Sequence, residues 1–255
     1  MEITRSNNKT AYEEYEQLLL ERDSLYKEKE SIYVMYIHEF GDLLVERFHS
    51  QINIICTKKS IAFCQAKINR GWIVCLSELN SFIDIEMQGY NDKLSCMIDQ
   101  NESCRRLTRL SKDENQRIKR IYRKLARLLH PDLNPDIENE TWLSDLWERI
   151  STAYKFGDLE ELENLELLAN TALDSLNVEH PEIIIPNIGQ RIEKIKNDIR
   201  QIISTEPYIY KKTLENPVEI KKLKEKLRLE IKENELYLEH LKTILTGLIL
   251  NGVTP

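Results

Sequence analysis

His130-Pro131-Asp132 is the place in this 255-residue chain where an imidazole, a rigid residue and a carboxylate fall together. Such a pair could move protons, but no nucleophile and no glycine-rich phosphate cradle accompanies it, so catalysis is not its expected use. A proline disfavours helical geometry at the residue before it, so a preceding helix should end at about His130. Asp132 can accept hydrogen bonds from nearby backbone N–H groups, and Pro135 should stiffen the exit. The pattern predicts a stiff, solvent-facing turn that presents the imidazole. His180-Pro181-Glu182 is nearly the same tripeptide, but no basic helix precedes it and it reads as linker punctuation. Other chemistry is scarce. The five cysteines (Cys56, Cys64, Cys75, Cys96, Cys104) are odd in number and never spaced C-x-x-C, against a disulfide framework or a zinc ribbon. Cys64 and Cys75 read as small core residues. His38, His49 and His240 have no ligand company at helical spacing, so neither a metal nor a cofactor is expected.

The element leading into the turn is a basic helix. Residues 101–129 hold ten basic residues against three acids, and residues 132–168 hold two against eleven. Ile118, Tyr122, Leu125 and Leu129 step by four, three and four into an apolar stripe, with Arg117, Arg120, Lys124 and Arg127 along another side. Lys119 and Arg123 lie alongside them. A second helix should follow with Leu146, Trp147, Ile150, Ala153 and Tyr154 inward. Gly157 should close it, and Asp158 with Glu161 should cap the next.

Tyr122-Arg-Lys-Leu-Ala126, His130-Pro-Asp-Leu-Asn-Pro135 and Trp147-x-x-Ile150-x-x-Ala153-Tyr154 together resemble helix II, the signature loop and helix III of the J-domain, the DnaJ family. The resemblance covers about residues 107–156. The family's first-helix pattern, Tyr-x-x-Leu-Gly-Val, is absent, and Leu107-Thr108-Arg109-Leu110 stands at its distance. Arg127 and Leu128 replace the usual apolar residue and lysine before the histidine. The resemblance implies a co-chaperone, not itself an enzyme, that docks on a DnaK-type heat-shock chaperone and stimulates its ATP hydrolysis. It implies that His130, Pro131 and Asp132 form the signature loop, and that Lys119, Arg120, Arg123, Lys124 and Arg127 meet an acidic surface of the chaperone. His130→Gln is then expected to abolish stimulation while leaving helicity intact. That reading leans on a solvent-facing imidazole, and burial of the corner beneath neighbouring segments would bring it down.

The flanking segments read as long helices. Tyr12, Leu19, Tyr26, Tyr33 and Phe40 repeat at seven, and so do Ile54, Ile61, Ile68, Cys75 and Phe82. A seven-residue repeat keeps one seam on one side of a helix, which must bury it against another helix. Asn69-Arg70-Gly71 is the stop signal, giving a helix to about 69 and a returning helix over about 75–100. Ile188, Ile192, Ile195, Ile199 and Ile202 form a third seam. Leu227, Ile231, Leu238, Leu241 and Leu245 form a fourth, with Asn234 as a register-setting polar residue. Pro181 and Pro186 mark the linker before that pair. The expected architecture is all-α: a coiled-coil-like hairpin over 1–100, a J-like module over 101–170, and a linker with a C-terminal antiparallel hairpin over 171–255.

Composition agrees. Gly 7 and Pro 7 are too few for the closely spaced turns of a barrel or sandwich. The formal charge of −7 disfavours a general nucleic-acid coat, although residues 105–127 keep nucleic-acid binding as a minor reading. No run approaches the roughly 18 apolar residues of a membrane span, the start MEITRSNNKT has no signal pattern, and a cytoplasmic home is expected. The alternative function is a non-catalytic coiled-coil scaffold or protein-interaction protein, a homodimer among its forms, in which the J-like hairpin only packs. In either reading the hairpins could recruit a client.

Overall fold

The computed structural model describes residues 2–106, 110–134, 141–176 and 187–253. These residues are all-α, with no strand among them. The order is α1 (Glu2–Asn69), α2 (Leu76–Arg106), α3 (Lys112–Leu129), α4 (Thr141–Phe156), α5 (Leu159–Leu176), α6 (Ile188–Ser204), a 3₁₀ turn at Tyr208–Tyr210, the single turn α7 (Lys211–Leu214) and α8 (Pro217–Val253). No helix among the described residues is long and apolar enough to cross a membrane. Arg109, Pro135, the His180-Pro181-Glu182 tripeptide and Pro186 lie outside the described residues.

The contacts group differently from the three consecutive segments read from the sequence. One unit joins Met1–Tyr33 with Thr108–Lys211, and the other joins Val34–Leu107 with Lys212–Pro255. The long α1 therefore contributes to both.

The first unit is built around α3, α4 and α5. The apolar stripe of α3 is buried as its spacing requires, with Ile118, Leu125 and Leu129 fully enclosed beside Ile150 of α4 and Leu162 of α5. Each such side chain contributes about 1.5–3 kcal/mol relative to exposure. Leu20 is the residue of α1 that joins this cluster. Gly157 ends α4 at φ 72°, where the Asp158 N–H reaches the Ala153 carbonyl at 2.9 Å and the Gly157 N–H reaches that of Tyr154 at 3.2 Å. That paired closure needs a left-handed residue, and glycine takes the conformation without a Cβ penalty. Asp158 then caps α5 by accepting the Glu161 N–H at 3.0 Å, as its sequence position predicts. Ser111 and Glu114 form a reciprocal capping box at the start of α3, a Ser-x-x-Glu signal the sequence reading passed over.

The second unit contains the later part of α1, α2 and α8. Gly71, at φ 72°, closes α1 with the same paired hydrogen bonds, Trp72 N–H to Lys67 O and Gly71 N–H to Ile68 O. α2 runs back along α1: Lys67 pairs with Glu78, Lys59 with Glu86, and Asp42 with Arg105. α8 runs in the same direction as α1, so that Glu39 meets Lys224, Arg47 meets Glu230, and Ile54 packs on Leu238 and Leu241. Asn234 sits in this seam and donates to the Ser50 hydroxyl at 2.9 Å, which ties one register of α8 to α1.

Two sequence expectations need correction. α6 does not find its seam partner as the first arm of a C-terminal hairpin; Ile192 and Ile195 pack on Tyr15 and Leu19 of α1, inside the first unit. Cys64 is fully buried, but Cys75 is exposed, because α1 has ended before it and the seam no longer reaches it.

Gly41 explains itself by proximity: a Cβ there would overlap the Asn101 side-chain oxygen, and Asn101 in turn donates to Asp42 at 2.8 Å. Alanine is the better helix former by ~1 kcal/mol, but overpacking costs about 1–3 kcal/mol. Gly41→Ala is therefore expected to lower the thermal midpoint, and Gly41→Ala combined with Asn101→Ala to recover most of the loss. Calorimetry of the four proteins checks this; a higher midpoint for Gly41→Ala alone would refute the close approach.

Candidate functional site

The turn after α3 begins where proline forces it to. His130 is the C-cap, extended at φ −71° and ψ 125°, and its N–H closes the last helical bond to Ala126 O at 2.9 Å. Its carbonyl accepts the N–H groups of Leu133 at 3.0 Å and Asn134 at 2.8 Å. The Asn134 side chain donates back to Arg127 O at 3.1 Å, satisfying one of the open carbonyls at the helix end. The group that pins the turn is the imidazole: the Asp132 N–H donates to His130 Nδ1 at 3.0 Å. Sequence reasoning had given that work to the Asp132 carboxylate.

The expectation of a solvent-facing imidazole is overturned. His130 is only 7 % exposed. Its ring lies 4.7 Å from the Trp147 ring of α4, and Nε2 stands 3.7 Å from Asp23 Oδ2 of α1. Burial pushes the imidazole pKa below its ordinary value, against the opposing pull of Asp23 and Asp132. Because Nδ1 is an acceptor here, the neutral ring carries its proton on Nε2, facing Asp23. Tyr122 donates to the same Asp23 oxygen at 2.7 Å and stacks on Tyr154 with ring centroids 3.7 Å apart. Burial, reinforced by Asp23, holds the Tyr122 phenol well above its usual range, and burial raises that of Tyr154 to about 12.

The rest of the turn divides between inside and outside. Leu133 is fully buried among Tyr15 and Leu19 of α1 and Ile192 and Ile195 of α6. Pro131 is half-buried. The Asp132 side chain is 41 % exposed, with Arg22 Nη1 the nearest cation at 3.9 Å. Nothing in the sequence marked Arg22 or Asp23, which act on a turn more than a hundred residues away; Asn134 stood within the motif, but its role as a side-chain donor to Arg127 O was not read from it.

Of the basic residues, Lys119 is half-buried, and Arg120, Arg123, Lys124 and Arg127 are exposed. Three positions on this helix are already paired. Arg117 meets Glu163 at 2.7 Å and Lys124 meets Glu166 at 2.9 Å, both on α5, while Arg127 meets Glu16 of α1 at 2.6 Å. Lys119, Arg120 and Arg123 make no ion pair with a described residue; of these Arg120 and Arg123 are exposed, and with Asp132 they are the charges of this surface most open to a partner. No group of three metal-ligating side chains occurs among the described residues.

A buried lysine lies nearby. Lys27 of α1 is 6 % exposed, donates to Tyr154 O at 2.6 Å at the C-terminal end of α4, and lies 4.7 Å from the centroid of the Tyr154 ring. Burial, with Lys119 close by, lowers its pKa from 10.5 to about 8. The helix-end carbonyl and the ring face both favour a cation, and desolvation outweighs them.

No family model matches the chain, and neither a search of curated proteins nor one of solved structures finds a similar protein.

The lowered Lys27 pKa has a testable consequence. Between pH about 8 and 10.5 the unfolded chain holds the Lys27 proton and the folded chain does not, so stability rises with pH across that window. Relative to Lys27→Met, the wild type should gain up to about 3 kcal/mol from below to above the window, at ~1.4 kcal/mol per pKa unit. Urea unfolding of both proteins at pH 7.5 and 10.5 measures the difference; a gap that does not change with pH rules out a desolvated Lys27.

Proposed function

We propose that α3, the His-Pro-Asp turn and α4 form a J-like docking module that binds a DnaK-type heat-shock chaperone and stimulates its ATP hydrolysis. The supporting observation is the turn itself. It joins two packed helices, His130 pins it from inside through the Asp132 N–H, and the Asp132 carboxylate is left partly in solvent. The contact surface proposed is the Asp132 carboxylate together with Arg120 and Arg123, with Lys119, Lys124 and Arg127 contributing field rather than free charge. His130 is a positioning residue in this reading: at 7 % exposure its ring is closed to a partner, which overturns direct recognition of the imidazole. Steering by the basic face would act on association rate and specificity more than on affinity. The long helices of the second unit would hold a client or set spacing.

A second reading is favoured by a specific observation: His130 and Leu133 are covered by α1, and three of the basic residues are paired internally. In that reading the hairpin is a packing element of a helical scaffold, and the charges serve the fold.

One experiment separates the two. His130→Gln is no longer suitable, because it removes a buried ring packed on Trp147 and the acceptor of the Asp132 N–H, at a cost of about 1–3 kcal/mol in stability. Asp132→Asn keeps the shape and removes the charge. ATP turnover by a DnaK-type chaperone should rise with the wild-type protein and fall at least tenfold in stimulation with Asp132→Asn or with Arg120→Glu/Arg123→Glu, circular dichroism being unchanged. Equal stimulation by these variants would favour the scaffold.

A further inference from the structure

We infer that residues 15–23 of α1 act as a built-in cover along one side of the docking turn and compete with a chaperone for Asp132 and Arg127; this rests on the docking reading above. Four contacts define the cover. Glu16 pairs with Arg127 at 2.6 Å, Leu19 packs on the fully buried Leu133, Arg22 lies 3.9 Å from Asp132, and Asp23 faces His130 at 3.7 Å. These residues recur at helical spacing along one side of α1, so one helix face meets the turn and the end of α3 together. Their chemistry is complementary to the surface they meet: an acid on the basic helix, an apolar side chain on the turn's leucine, a cation on its carboxylate. A partner reading that surface has to offer the same complement, so cover and partner compete for it.

The cover is separable from what it covers. The apolar core of the hairpin is made by α3, α4 and α5, with Leu20 the α1 residue in that cluster among the described residues; Asp23 adds one polar tie by accepting the Tyr122 hydroxyl at 2.7 Å, which displacement of the cover would have to exchange for water. At the rim the Arg127–Glu16 tie is partly exposed, at 62 % for Arg127 and 19 % for Glu16, and an ion pair open to solvent on one side can be exchanged for another. A binding-competent state populated only as a fraction weakens apparent affinity by that fraction, and loosening the cover restores it.

The test uses the full chain and measures the concentration that half-saturates stimulation of a DnaK-type chaperone's ATP turnover. Leu19→Ala removes packing on Leu133 without touching a docking residue, and should lower that concentration at least tenfold. Glu16→Lys turns the Arg127 pair into a repulsion at the rim, where folding is least at risk, and should lower it about threefold. Circular dichroism confirms that each variant keeps its helices. If the wild type stimulates in an Asp132-dependent manner and the folded variants need as much chaperone or more, the cover is refuted and the docking reading stands. If neither the wild type nor the variants stimulate, the docking reading falls and the cover with it.

Discussion

A carboxylate withdrawn from water must be met by donors, and the placement of Asp23 imposes that requirement on the whole first unit. One of its oxygens accepts the Tyr122 hydroxyl and faces the His130 ring; the other accepts Arg22 at 2.9 Å. Meeting these groups at once fixes the rotation of α1 about its own axis. It follows that Leu19 points at Leu133, Leu20 at the core of the hairpin, and Lys27 at the end of α4. The Trp147 ring, 4.7 Å from the imidazole, then packs against the histidine. A different residue at position 23 would leave the Tyr122 hydroxyl buried without its acceptor.

The division of charge along the middle of the chain has a physical use that composition alone did not reveal. A basic helix followed by acidic segments suggests a surface prepared for a partner. Much of it is spent inside the unit, where Arg117 and Lys124 of α3 meet Glu163 and Glu166 of α5, while Arg127 meets Glu16 of α1. Such pairs add little stability individually, but alternatives that set like charges together are penalised, so they help select which helices lie side by side. Once they are set aside, Arg120 and Arg123 mark a much smaller region with charge to spare than the full basic stretch suggested.

Local features were legible in the sequence, and distant ones were not. Gly71 and Gly157 end their helices where the chain needs a left-handed residue, and Pro131 ends α3 at the expected place. The stripe through Ile118, Leu125 and Leu129 is buried because its period admits one inward face. These signals depend on neighbours within a few residues. A seam states that a helix must be covered, but not by what, and this is why Ile192 and Ile195 were assigned to the wrong partner. The same ignorance of distant partners placed His130 in solvent: the residues that bury it, Asp23 and Trp147, act across 107 and 17 positions of sequence. Cys75 failed for the opposite reason, since a seven-residue count was carried past the end of its helix.

The His-Pro-Asp tripeptide is therefore better regarded as a mechanism with two sides than as a single reactive corner. Proline ends the helix and fixes the direction of departure. The neutral histidine, held inside, uses its free lone pair to fasten the Asp132 N–H, so the backbone under the carboxylate is set before anything meets it. A carboxylate on a turn fixed in this way loses little freedom when a cation engages it, and the saving appears as affinity and selectivity in whatever binds. The buried imidazole and the half-exposed carboxylate are thus not competing readings of the motif. The first makes the second worth reading, and the same rigidity serves whether the cation comes from Arg22 of the chain itself or from another protein.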